Sequence, residues 1–313
     1  MIKTYEVSNI AFDVSSLAVQ SMLYEVACVP SPGLVSVVST GAHKDMNHYT
    51  FINSTCSLIK YLTLCVQLGF TDESPKDILK KAKFLGMDAE KEMFKKTQGV
   101  NTHKGMLFLM GISCVAVGKV IHDNKEFNEV QQIIKDMCSG IVERDLLSLK
   151  KYIKEYKTVE DIANSKKLSY GEKLFLMYGM KGIRGEVEEG LPIIFDFSLD
   201  FYEHCSDLNE NDRLVNTLIG IMQYSEDSNI LHRHTLDVLK EMQDRARNIL
   251  SIGGMRTKKG REEIAKLDKE FSSRRISPGG SADLLAVTVF FSLVKEYINK
   301  DLNYVKEEKN DKV

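Results

Sequence analysis

Apolar residues recur along this chain at three- and four-residue spacing, and strict alternation is nearly absent. Ile78, Leu79, Ala82, Leu85, Ala89 and Met93 trace one face of a helix with the 3.6-residue period. Ser74 stands ahead of that face as a side-chain cap. Pro75 fits the first helical position, where no amide proton is needed, and Asp77 adds a first-turn carboxylate. The same period runs through Met46, Tyr49, Ile52, Cys56, Ile59 and Cys65, and again through Val130, Ile133, Ile134 and Met137. Residues 103–121, HKGMLFLMGISCVAVGKVI, are apolar on nearly every side. That predicts a central helix, with Gly105, Gly111 and Gly118 permitting close approach of its neighbours. Further helices are predicted near 143–156, 170–179, 193–205, 212–224, 234–251, 261–273 and 282–301.

The expectation is an all-α protein, one globular domain of roughly ten helices over residues 1–313, with a solvated tail from about 304 ending in KEEKNDKV. No period of 20 to 50 residues repeats, which argues against a helical solenoid. The Lys-rich stretch 140–170 is a candidate hinge, though it contains no evident linker.

Composition narrows the class. At 313 residues and 43% hydrophobic content the chain can bury a large core. Residues 1–16 have neither the basic start nor the apolar run of a secretory signal, and no uncharged apolar run is long enough to span a bilayer, so a cytoplasmic protein is expected. Six widely scattered cysteines form no Cys-x-x-Cys pair and read as reduced thiols. With 42 basic and 44 acidic residues the net charge is -2, which disfavours nucleic acid and requires any polyanionic ligand to be held locally.

Five polar junctions interrupt the helices: 24–47 (YEVACVPSPGLVSVVSTGAHKDMN), 97–105 (TQGVNTHKG), 178–192 (YGMKGIRGEVEEGLP), 225–233 (SEDSNILHR) and 275–286 (RISPGGSADLLA). Most set glycines or basic groups near carboxylates. That mixture suits phosphate together with a divalent cation: glycine lets backbone amides approach an anion, a helix N-terminus adds partial positive charge, and carboxylates answer the metal.

Each junction also has a plain structural reading. Gly279-Gly280-Ser281 can be a loop and cap with Asp283 favouring the helix dipole, Asp45 a cap, Thr102 a cap for the central helix, and Asp227 with Asn229 an Asx turn. Glu186 and Glu189 can be a solvated acidic face. Four glycines within the third junction make a regular helix costly, about 1 kcal/mol each relative to alanine, so a loop bearing Arg184, Glu186, Glu188 and Glu189 is expected. His122-Asp123 resembles a metal-binding pair but lacks partner ligands.

Taken in order, EVACVPSPGLV, TGAHKDMNHYTF, GVNTHKG, RGEVEEGLP, DSNILHR and SPGGSADLLA resemble the signature segments of the triphosphoribosyl-dephospho-CoA synthases, which prepare the prosthetic-group precursor of citrate lyase and, in relatives, of malonate decarboxylase. The likeness covers about residues 20–295, and HKDM, VNTHKG, RGE and SPGGSADLLA are its most specific pieces. It implies an all-helical, Mg2+-assisted pentosyltransferase. Ribose C1' of ATP moves to the 2'-hydroxyl of 3'-dephospho-CoA, adenine leaves, and the triphosphate stays on the transferred ribose. A separate transferase would then load the product onto a carrier protein. The chain departs from the pattern at Ser36, where Asp is frequent, at Thr40 (Asn), at Ser228 (Thr) and at His234-Thr235 (Gly-Gly). These changes spare the charged residues and bear more on the acceptor than on the reaction type.

Substitution at an anomeric carbon needs negative charge near C1', a base for the acceptor hydroxyl and help for the departing base, tasks suited to carboxylates. Glu186 is the first choice, Glu189 the second and Glu25 the third. His43, Lys44, His103, Lys104, Arg184 and Arg233 are assigned to phosphates, with Ser277 and the amides of Gly279, Gly280 and Ser281 forming an anion nest. Asp45, Asp227 and Asp283 are the expected Mg2+ ligands. A helical nucleotide or ribosyl hydrolase and a non-catalytic nucleotide-binding regulator stay open as alternatives, and homodimerisation through apolar residues such as Phe290 and Phe291 stays open beside plain core packing.

Overall fold

The computed structural model describes residues 6–156 and 158–302, so the expected tail lies outside the described residues. Among those residues there is no strand. In chain order the helices are α1 (Asn9–Ala27), α2 (His48–Gly69), α3 (Pro75–Lys96), α4 (Lys104–His122), α5 (Val130–Cys138), α6 (Ile141–Asp145), α7 (Val159–Lys166) and α8 (Tyr170–Tyr178). They continue with α9 (Gly182–Glu188), α10 (Leu199–Glu203), α11 (Glu210–Met222), α12 (Ser228–Arg233), α13 (Leu236–Ser251), α14 (Lys258–Arg274) and α15 (Gly279–Tyr297). The all-α expectation holds, and the number of pieces exceeds roughly ten because several are single turns.

The central helix is α4, which buries fourteen of its nineteen residues beneath α1, α2, α3, α5 and α15. It is long and apolar enough to cross a membrane, but most of it is buried inside the protein, where a core helix belongs. Lys119 is tolerated there because its ammonium donates to the Thr71 carbonyl at 2.7 Å and to Asp123 at 2.6 Å. Gly118 earns its place by contact, since a Cβ there would lie 2.1 Å from the Val66 carbonyl oxygen of α2. Gly111 meets only Cys65 Sγ at 3.9 Å, an ordinary contact. Phe290 and Phe291 of α15 are fully buried, and Phe291 packs on Phe127 and Phe195, so both belong to the core.

The start of α3 follows the sequence, with Ser74 accepting the Asp77 amide. Several places differ, and α7 and α12 also form where no helix is predicted. The pattern names no helix before Met46, yet α1 forms: its buried face is largely small (Ala11, Ser15, Ala18, Ser21), so it shows no stripe of large apolar residues. The stretch 143–156 divides into α6 and the tight 3-10 segment Leu147–Lys154. The third junction is helix α9 and not the expected loop. Val187, fully buried, anchors it, and Gly185 admits the Lys181 stem, so packing outweighs glycine's poor propensity.

Candidate active site

All five junctions meet at one cleft of about 1750 Å3. Small-molecule sites usually measure about 300 to 1,000 Å3, so this one has room for two substrates together.

The first and fifth junctions are joined directly. A Cβ at Gly33, whose φ is +70°, would lie 1.9 Å from the Ile276 carbonyl oxygen, so only glycine permits that approach. Next to it, His43 Nε2 hydrogen-bonds Ser277 Oγ at 2.9 Å, and His43 Nδ1 lies 3.8 Å from the Asp45 carboxylate, which is exposed. Arg233, at the end of α12, also lines the cleft and has no ion-pair partner among the described residues. Burial, then the Arg233 charge, lowers the His43 pKa, an effect that Asp45 opposes. Lys44 does not reach the main wall. It lines an adjoining hollow of about 210 Å3 with Arg233 and Arg275.

The fourth and fifth junctions are stitched by Asp227. Its Oδ1 accepts the Asn229 amide at 3.0 Å, and its Oδ2 accepts the Ser281 amide at 2.9 Å and the Ser281 hydroxyl at 3.2 Å. The anion nest expected at Gly279, Gly280 and Ser281 is therefore partly filled by the protein's own carboxylate. Ser281 is fully buried and absent from the cleft wall, while Gly279 and Gly280 line it. Burial, although offset by these hydrogen bonds, raises the Asp227 pKa.

Asp283, just past the first turn of α15, stands against the mouth of α4: a Cβ at Gly105 would lie 2.3 Å from its Oδ2. No donor reaches the Asp283 carboxylate among the described residues. Burial, then the charges of Glu25 and Asp227, pushes its pKa well above the usual carboxylate range. The N-terminus of α4 opposes that push, because its partial positive charge favours the ionised form. Glu25, in the last turn of α1, is only 5% exposed and also lacks a side-chain partner among the described residues; burial raises its pKa to about 8. Glu25 and Asp227 thus each act on Asp283 through charge, without converging with it on one point.

An acidic centre surrounds Glu186 on α9. Burial, then neighbouring Glu189, Glu226 and Asp196, raises its pKa to about 7 against an opposing backbone hydrogen bond from Ile193. Its Oε2 is buried without a partner. Glu189, by contrast, is exposed and paired with Lys181 at 2.9 Å, a rim contact of little energetic weight. Arg184 reaches Asp145 at 3.5 Å, and Lys104 pairs with Glu90 at 2.6 Å.

Buried polar atoms without hydrogen bonds are rare, and each costs about 1 to 3 kcal/mol. Of the five found among the described residues, three belong to cleft residues: His43 Nδ1, His103 Nε2 and Glu186 Oε2. Their concentration in the cleft marks it as built to meet a ligand. The family model described as ATP:dephospho-CoA triphosphoribosyl transferase matches residues 11–302. The chain belongs to this transferase family.

Curated relatives agree over nearly the whole transferase chain. A probable 2-(5''-triphosphoribosyl)-3'-dephosphocoenzyme-A synthase of Streptococcus mutans is 32% identical, the match covering 91% of this chain and 97% of the relative. A relative of the same name from Malonomonas rubra is 34% identical over 94% of this chain and 91% of its own. Protein CitXG of Leuconostoc mesenteroides is 36% identical over 89% of this chain, but the match spans 58% of that longer protein. No solved structure matches.

The structure also adds wall residues to the transferase that the junctions did not signal. Arg144 and Asp145 on α6 join Arg184, with Arg144 Nε donating to Asp145 Oδ1 at 2.7 Å. Lys76, Lys80, Lys83 and Phe84 of α3 also line the cleft. Tyr170 lines it too, its ring edge to face at 4.2 Å with that of His232 from the fourth junction and its hydroxyl donating to the Leu231 carbonyl. All lie in ordinary helical patterns, so only the tertiary fold identifies them. His122 pairs with Asp72 at 3.0 Å and Asp123 with Lys119, a plain surface network away from the cleft.

Proposed function

We propose that the cleft moves the triphosphoribosyl group of ATP onto the 2'-hydroxyl of 3'-dephospho-CoA, with Glu186 as base and Glu25 as acid. The observation that carries this reading is the unpartnered, buried Oε2 of Glu186, on a carboxyl whose pKa of about 7 is matched to proton transfer near neutrality. Glu186 takes the hydroxyl proton as the acceptor oxygen bonds to C1' and the bond to adenine breaks. Glu25, protonated below about pH 8, gives its proton to a ring nitrogen of the departing adenine. Glu186 and Glu25, both lining the cleft, give one carboxyl for the nucleophile and another for the leaving group. Glu189, paired and exposed, supports Glu186 through its charge and carries no proton in this scheme.

Unpaired Arg233, with Lys44, Lys104 and Arg184, supplies positive charge to the phosphates. His43 and His103 contribute hydrogen bonds instead, because burial keeps both rings neutral at pH 7. Magnesium fits as an ion carried on the triphosphate. Among the described residues no three His, Cys, Asp or Glu side chains converge to cage a cation, and magnesium on a nucleotide asks for only one or two protein carboxylates plus water. Unpartnered Asp283 would hold it, since Asp227 is engaged by Asn229 and Ser281, and it would supply charge neutralisation at the phosphates. The product would pass to a separate carrier-protein transferase.

Glu186→Gln keeps shape and removes the base. ATP binding by calorimetry is expected to change by less than about threefold while turnover falls about 100-fold or more. Wild-type turnover in this variant removes Glu186 from the chemistry.

A further inference from the structure

His103 sits where α4 begins, 2% exposed, with its ring edge to face against Phe51 at 4.9 Å. It has two ring nitrogens and a single ring partner. Nδ1 lies 2.7 Å from Ser54 Oγ, and Nε2 is buried with none. Thr102 Oγ1 donates to the same Ser54 Oγ at 2.7 Å. Ser54 is fully buried in α2, and its hydroxyl proton has no acceptor among the described residues other than His103 Nδ1. Proton accounting then leaves one arrangement without waste: Thr102 gives to Ser54, Ser54 gives to Nδ1, and the ring proton resides on Nε2. The opposite tautomer would bury the Ser54 proton unpaired, at a cost of about 1 to 3 kcal/mol. The backbone fixes the ring as well, because the His103 amide donates to Met93 Sδ at 3.3 Å.

We infer that Ser54 and Thr102 are positioning residues that lock His103 as a neutral Nε2–H donor to a phosphate oxygen of a bound nucleotide. This rests on the phosphate-binding reading of the cleft and deepens it: the contact is a directed neutral hydrogen bond, while the cations Arg233 and Lys104 provide the charge. Burial, which lowers the His103 pKa to about 3, agrees with a ring that stays neutral throughout the working range.

The test is long-range proton–nitrogen NMR on the full chain labelled at histidine, with the His103 signals assigned by their loss in His103→Gln. The expected spectrum is one neutral tautomer, protonated at Nε2, from pH 5.5 to 8. A ring protonated at Nδ1, or an imidazolium at pH 6, overturns the inference. ATP and dephospho-CoA are then added separately. A shift of the Nε2 signal by either supports the donor role and tells which nucleotide supplies the phosphate; no shift with either overturns it. Ser54→Ala is expected to mix the tautomers and raise the nucleotide KM about tenfold, and Ser54→Thr to restore the single tautomer. An unchanged tautomer in Ser54→Ala removes the positioning role. Adenine release in the same sample reports the transferase reading separately, so failure of one is not failure of the other.

Discussion

Replacing Glu25 with glutamine should make the protein more stable and less active, by an amount that depends on pH. In the unfolded chain this carboxyl ionises near its ordinary value of 4.5; in the fold, burial without a partner raises it to about 8. Between those values the folded state holds a proton that the unfolded state has lost. Stability therefore falls as pH rises through this window, and the loss is complete above about pH 8. At about 1.4 kcal/mol per pH unit the gap is worth about 5 kcal/mol. Glu25→Gln mimics the protonated acid at every pH, so the variant and the wild type should unfold alike near pH 4.5 and differ increasingly above it. For a chain of this size about 5 kcal/mol corresponds to a Tm gain of about 8 °C. The assay is denaturant and thermal unfolding of both proteins at pH 5 and pH 8.5, alongside adenine release. The gain should be confined to pH 8.5, and turnover should fall about 100-fold at both pH values. A pH-independent Tm difference, or a variant destabilised at pH 8.5, refutes the buried-acid argument.

The pH dependence of kcat/KM should be bell-shaped, rising as Glu186 loses its proton near pH 7 and falling as Glu25 loses its own near pH 8. Glu186→Gln should erase the rising limb, and a wild-type profile flat from pH 6 to pH 9 would remove both assignments. Gly33→Ala would place a Cβ 1.9 Å from the Ile276 carbonyl at a left-handed φ of +70°, so the first junction must undock from the fifth. A cost of at least about 3 kcal/mol, seen as a Tm loss of about 5 °C, is expected, and an unchanged Tm contradicts that docking.

The fold was most legible where one physical signal dominated. Residues 103–121 are apolar on all sides and became the central helix, and Ser74-Pro75 opened α3 as its capping chemistry predicts. α1 escaped because a face built from Ala11, Ser15, Ala18 and Ser21 gives little hydrophobic contrast, even though it carries Glu25 into the site. α9 escaped because its glycines argue against a helix, whereas the buried Val187 holds one together.

At the site, the junctions announced most of the charged groups, since glycine beside Lys, Arg and Asp is visible in any sequence. What they left out is partnership. No pattern reveals that Asp227 fills the Ser281 amide while Asp283 stays unpartnered, or that a mid-helix serine, Ser54, orients His103. Those are properties of distant segments brought into contact, and they separate structural carboxylates from reactive ones.

On the proposed mechanism, adenine leaves ATP because dephospho-CoA attacks its ribose in this cleft. The most direct measurement is chromatography of the purified chain with ATP, Mg2+ and 3'-dephospho-CoA, quantifying free adenine and the ribosylated coenzyme together. The account predicts equal amounts of both, and no adenine when dephospho-CoA is left out. Adenine released at the same rate without the acceptor, or coenzyme product absent while adenine accumulates, would contradict it.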